Sequence, residues 1–212
     1  MKALTALAAA LWVCGLPAAK TAEAAPPQPV IQMPQHPMSS GPNPVADAFP
    51  DRAGAPSGGG CLADGSGYLR ARIRGALNLD VSWKDAQLQC AGEARPDGSG
   101  LRVSFAGPGP AKKPMRLVFG VGAAREGIAR RELPTNLTVL LAGGRVFATR
   151  GDDKCTTDQL TQRALPGKSG LRAWRIEGRG FCVTPATALA GRGRILISRF
   201  DFAGRIEFSG RQ

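Results

Sequence analysis

Histidine is almost missing from this chain. One residue in 212 is a histidine, and that residue, His36, falls in a proline-rich stretch near the N-terminus. A serine or cysteine nucleophile usually depends on an imidazole base, and catalytic zinc is usually held by at least one imidazole, so neither design has its ordinary parts here. Aromatic residues make up 6% of the chain and Tyr68 is the only tyrosine, which leaves few platforms on which bases could stack. No nucleic-acid partner is expected. No two cysteines form a Cys-x-x-Cys pair, which argues against a structural zinc site and against a thioredoxin-like redox site. No metal and no cofactor is expected. Long apolar runs are also lacking beyond the N-terminus, so no transmembrane segment is expected in the mature chain.

The N-terminus has the charged start and apolar middle of an export signal. Met1-Lys2 precedes the run Ala3 to Ala19, and small residues at Ala22 and Ala24 offer a cleavage site before Ala25. The expected signal peptide is therefore 1–24, and the mature protein is expected to be secreted or periplasmic. From Ala25 to Gly60 the chain carries nine prolines, ends in Ser57-Gly58-Gly59-Gly60 and has almost no apolar period. Such a stretch cannot assemble a core, and 25–60 reads as a Pro/Gly-rich disordered spacer.

Four cysteines follow the signal: Cys61, Cys90, Cys155 and Cys182. An even number in an exported chain reads as a disulfide framework, and joining neighbouring segments pairs Cys61 with Cys90 and Cys155 with Cys182.

Residues 61–212 suffice for one domain, and their apolar residues alternate with the period of a half-buried strand. Leu77, Leu79, Val81 and Trp83 share one face while Asn78, Asp80 and Ser82 share the other. The same alternation runs through Leu101 to Phe105, Met115 to Val121 and Leu137 to Leu141. Gly143-Gly144 and Pro96-Asp97-Gly98 mark hairpin turns. Ile195, Ile197, Phe200, Phe202, Ile206 and Phe208 read as a further pair of strands reversing near Ala203-Gly204. One segment, Thr156 to Leu165, carries a capping-box pair in Thr156 and Gln159 and a stop at Pro166-Gly167, which predicts a short helix. The expectation is a mostly β domain, a single antiparallel sandwich or barrel-like fold with one short helix, stapled by disulfides.

The chain is strongly basic, with 28 Lys and Arg against 16 Asp and Glu and a net charge of +12. Arg70, Arg72 and Arg74 alternate with Leu69, Ala71 and Ile73, so a strand there would set three guanidinium groups in a row. Arg192 and Arg194, with Arg199 and Arg205 beyond them, add charge near the C-terminal strands. Guanidinium groups grip phosphates and uronic acids through paired hydrogen bonds. Export, charge and the missing catalytic parts point to a non-enzymatic binding module for an anionic envelope component or an envelope protein. The alternatives are a carboxylate-dependent hydrolase of envelope polysaccharide, with Asp152 and Asp153 as the candidate catalytic residues, and a structural protein-interaction domain.

Overall fold

Strict alternation needs a two-sided sheet, and the chain from Tyr68 onward builds one. The structure is a computed structural model describing residues 61–167 and 170–209. The expected signal peptide and spacer lie outside the described residues. The strands are β1 (Tyr68–Gly75), β2 (Leu79–Lys84), β3 (Gln89–Ala94), β4 (Gly100–Pro108), β5 (Pro114–Gly122), β6 (Arg130–Leu141), β7 (Val146–Ala148), β8 (Cys155–Leu165), β9 (Leu171–Cys182), β10 (Ala186–Ala188) and β11 (Arg194–Ser209).

All pairings are antiparallel. β2-β1-β11 lead into β10-β7-β6 and then β5-β4-β3, while β8 and β9 bridge β6 to β11 by a second route. The two longest partners make this closure work. β11 pairs β1 along one edge and passes from β10 to β9 along the other. β6 likewise pairs β5 on one edge and passes from β8 to β7 on the other. The result is a barrel-like sandwich, the mostly β architecture that the alternation implied. Among the described residues no helix is long and apolar enough to cross a membrane.

The core lies on the inner faces of these strands. Phe105 on β4, Phe119 on β5, and Phe200 and Phe202 on β11 are essentially solvent-free, with ring centroids 5.0–6.2 Å apart. Space for two of these rings comes from β9: a Cβ on Gly178 would stand 2.4 Å from Phe202, and one on Gly180 2.7 Å from Phe200. Trp83 is buried on the inner face of β2, and its indole N–H donates to the Pro108 carbonyl at 2.9 Å. Both expected hairpins form. Gly143 and Gly144 have φ of 87° and 85°, and Gly98 N–H donates to the Arg95 carbonyl at 2.9 Å.

Two disulfides close, Cys61–Cys90 and Cys155–Cys182, the pairing read from the cysteine order. They fit a chain that folds in an oxidising compartment. The second joins residues that are direct partners across β8 and β9.

Two sequence expectations are corrected. Thr156 to Leu165 is not a helix but most of β8, hydrogen-bonded to β6 on one edge and β9 on the other. A bulge at Asp158 shifts the alternation, so Thr157 and Leu160 both point inward, and that three-residue step imitates a helical period. Thr156, Thr157 and Thr161 are β-branched and suit a strand. Buried Thr157 also shares a 2.8 Å hydroxyl hydrogen bond with Thr135 of β6. The helical turns that do form are single 3-10 turns at Asp85–Gln87, Pro110–Lys112 and Asp152–Lys154.

The second correction concerns Ala203-Gly204, where the chain does not reverse. Arg194–Ser209 is one strand. Ser198 is bulged against β1, since Arg72 faces Arg199 while Ile73 faces Ile197, and this accounts for the irregular step from Ile197 to Phe200. The gap between Phe202 and Ile206 is filled by Gly204, which faces inward beneath Phe105. A Cβ there would lie 2.9 Å from the Phe105 ring.

Candidate anion-binding face

Because Leu69, Ala71 and Ile73 are drawn into the core, β1 sends Arg70, Arg72 and Arg74 to the opposite face of the sheet. Their side chains are 65%, 64% and 43% exposed. Flanking strands supply two carboxylates. Arg70 lies 3.7 Å from Asp201 on β11, and Arg72 and Arg74 share Asp80 on β2 at 3.6 and 2.8 Å. Arg199 on β11 is the register partner of Arg72, is exposed, and has no ion-pair partner among the described residues. Three guanidinium groups therefore share two carboxylates, and a fourth stands beside them.

Tyr68 opens the same strand. Its hydroxyl donates to Asp201 at 2.8 Å, and Arg70 sits 4.9 Å over its ring. Partial burial, and then the hydrogen bond to Asp201, push the Tyr68 hydroxyl up to about 12, so it remains a donor.

Arg194 opens β11 opposite Thr187 of β10, with its carbonyl accepting from Ala76 N–H just past β1. Arg192 is exposed in the preceding loop. The fold thus places the start of the C-terminal strand beside the end of β1.

A second basic row crosses β8, β9 and β11, where Arg163 faces Arg175 and Arg175 faces Arg205. Like charges directly opposite are unfavourable unless neutralised. Arg175, only 12% exposed, is held by Glu177 at 2.6 Å, by Asp64 at 3.7 Å and by the Ser66 hydroxyl. Glu207 takes Arg205 at 2.8 Å. Ser66, through its hydroxyl and backbone N–H, holds the Asp64 carboxyl below its usual range. An open cleft of about 450 Å³ lies beside Arg163 and Arg175, bounded also by Thr161 and Gln162.

The two loop aspartates separate. Asp152 receives Arg95 at 2.8 Å and the Asn136 amide, beside a second open cleft of about 410 Å³ that Arg95 and Asn136 help to line. Asp153 points to solvent against Lys154 at 2.6 Å, an interaction that lowers its carboxyl from the ordinary range. Of the other carboxylates, Asp85 is 5% exposed and accepts from the backbone N–H groups of Cys61, Leu62 and Gly67 at 3.0, 2.9 and 3.0 Å. Among the described residues no group of three His, Cys, Asp or Glu side chains is arranged to hold a metal.

Sequence reasoning missed two exposed arginines on this side of the sheet, Arg179 on β9 and Arg131 on β6. Arg179 had a signal in the alternation of Arg175, Glu177 and Arg179 with Ile176, Gly178 and Gly180, but glycines in the inward positions hide a buried face. Trp174 is half-buried and donates to Glu126 at 3.0 Å, so its indole N–H is spent within the fold.

No protein-family model matches the chain, and no curated protein or solved structure is significantly similar to it.

Proposed function

We propose that this domain is an exported, non-catalytic module that binds an anionic component of the cell envelope through the outer face of β1 and β11. The observation that supports it is the alignment of Arg70, Arg72 and Arg74 beside Arg199, four guanidinium groups against the two carboxylates of Asp80 and Asp201. A row only partly neutralised by its two carboxylates, on a rigid sheet, presents donors to an anion without ordering a loop, which lowers the entropic cost of binding. Export through a cleavable signal peptide, with the proline-rich spacer holding the domain away from whatever the N-terminus meets, belongs to the same reading.

The test is titration of the disulfide-bonded chain with purified envelope polyanions and with neutral glycans across a salt series. Saturable binding to the polyanions that weakens as salt rises is the expected result. Replacing Arg70, Arg72 and Arg74 together with Gln should weaken binding and flatten its salt dependence while the thermal midpoint stays near that of the parent. Binding unchanged by the triple substitution would remove β1 from the site.

A further inference from the structure

We infer that the ligand is a linear glycan that lies across the strands and carries carboxylates on alternate sugars; this rests on the anion-binding reading above and specifies its ligand. Following the hydrogen-bonded register outward from β2, Ser82 faces Arg70, Arg70 faces Asp201, Asp201 faces Arg179, Arg179 faces Gln159, and Gln159 faces Arg131. Register partners project from the same side of a sheet. Strands lie about 4.8 Å apart, so Arg70, Arg179 and Arg131 recur on every second strand, about 10 Å from one to the next.

The groups between them differ in kind. Asp201 is turned toward β1, accepting from Tyr68 and facing Arg70, and Gln159 is a neutral hydrogen-bonding side chain. Arg179 and Arg131 are exposed and have no ion-pair partner among the described residues. A cation alternating with a polar group matches a polymer in which a charged sugar alternates with a neutral one. A polymer charged at every unit would set anions against Asp201.

A second observation separates a glycan from a bare phosphate chain. Phe181, two residues beyond Arg179 on the same face of β9, is 38% exposed. It pairs with Thr156 of β8, one residue past the last β9–β11 pair, Gly180 with Phe200. An exposed ring beside a cation offers an apolar surface to the face of a sugar, and a phosphate chain has no apolar face to place there.

The experiment is calorimetric titration of the disulfide-bonded chain with even-numbered hyaluronan oligosaccharides, whose glucuronates alternate with neutral sugars, and with polyphosphate. Affinity should rise up to the length that supplies three carboxylates, the hexasaccharide, and then level off. R179Q combined with R131Q should remove that gain, weakening the hexasaccharide by about fivefold, the effect of two exposed charge contacts, while the disaccharide binds as before. F181S should weaken the oligosaccharides and leave polyphosphate unchanged. The thermal midpoints of these surface variants should stay with the parent's. Affinity independent of length, or a double variant that binds the hexasaccharide like the parent, would overturn the path across the strands. In that case the β1 site would stand so long as replacing Arg70, Arg72 and Arg74 still weakens binding. Preference for polyphosphate with indifference to F181S would overturn the glycan. No binding of any probe by the unaltered chain would overturn both readings.

Discussion

Replacing Asp85 with Ala should cost this domain a large part of its stability, although the residue touches no proposed ligand. One carboxylate oxygen accepts three backbone N–H groups, from Cys61, Leu62 and Gly67, at 3.0, 2.9 and 3.0 Å. All three donors are in buried residues. A buried donor left without an acceptor costs about 1–3 kcal/mol, and the segment cannot simply swing into water because Cys61 is tied to β3 through Cys90. Allowing for partial relaxation, the expected loss is roughly 3–5 kcal/mol, against the ~5–15 kcal/mol that holds a typical domain together. Asp85→Asn keeps a carbonyl acceptor and gives up the charge, so it should cost roughly 1–2 kcal/mol. The assay is urea unfolding of the oxidised protein, with the denaturant slope unchanged between variants. Asp153→Ala, which removes an exposed carboxylate, serves as the control and should shift the midpoint little. A loss below about 1 kcal/mol for Asp85→Ala would refute the assignment of Asp85 as the anchor of the 61–67 segment.

Three other outcomes are expected. Replacing either disulfide with a pair of serines should cost about 3.5 kcal/mol, because the bridges span 29 and 27 residues and close loops of similar entropy; urea unfolding of each variant measures it, and a several-fold difference between the two would show that native-state effects outweigh loop closure. Gly178→Ala forces a methyl against the Phe202 ring and should lower stability by about 1–3 kcal/mol, read as a drop in thermal midpoint. Glu126 is held below its ordinary value of 4.5 by its hydrogen bond from Arg172 and, less strongly, by that from Trp174. Its folded value is depressed, so it adds stability above about pH 4.5 that is lost as pH falls through the folded value; Glu126→Gln should therefore flatten the acid limb of a midpoint-against-pH curve, and an unchanged limb would contradict it.

The legible part of this fold is the part governed by local period. Met115, Leu117, Phe119 and Val121 alternate without a bulge, and the strand they imply lies where expected, with all four side chains free of solvent. Gly143-Gly144 also worked locally, since the turn needs only a backbone that accepts positive φ. Reading failed where a strand is irregular. At Asp158 and Ser198 a bulge inserts one residue and breaks the period, leaving in the first case a spacing that resembles a helix, while the turn signal at Ala203-Gly204 comes from Gly204, an inward glycine that leaves no apolar side chain between Phe202 and Ile206. Bulges are stabilised by partner strands, so nothing within eight or ten neighbouring residues announces them. The carboxylates were opaque for a related reason: Asp85, Asp152 and Asp201 look alike in sequence, and only their partners, from 16 to 133 residues away, distinguish an anchor from a half-buried counter-ion.

What this sequence determined by itself was the chemistry available: a strongly basic chain, no histidine in its described domain, four cysteines that pair as two disulfides, and strands with one apolar side. Those properties follow from composition and from contacts along the chain. Which charges stand together was decided only by the tertiary structure. Arg70, Arg179 and Arg131 are brought into one row by hydrogen-bond registers between five strands, and a register is a property of pairs of strands that no single segment contains.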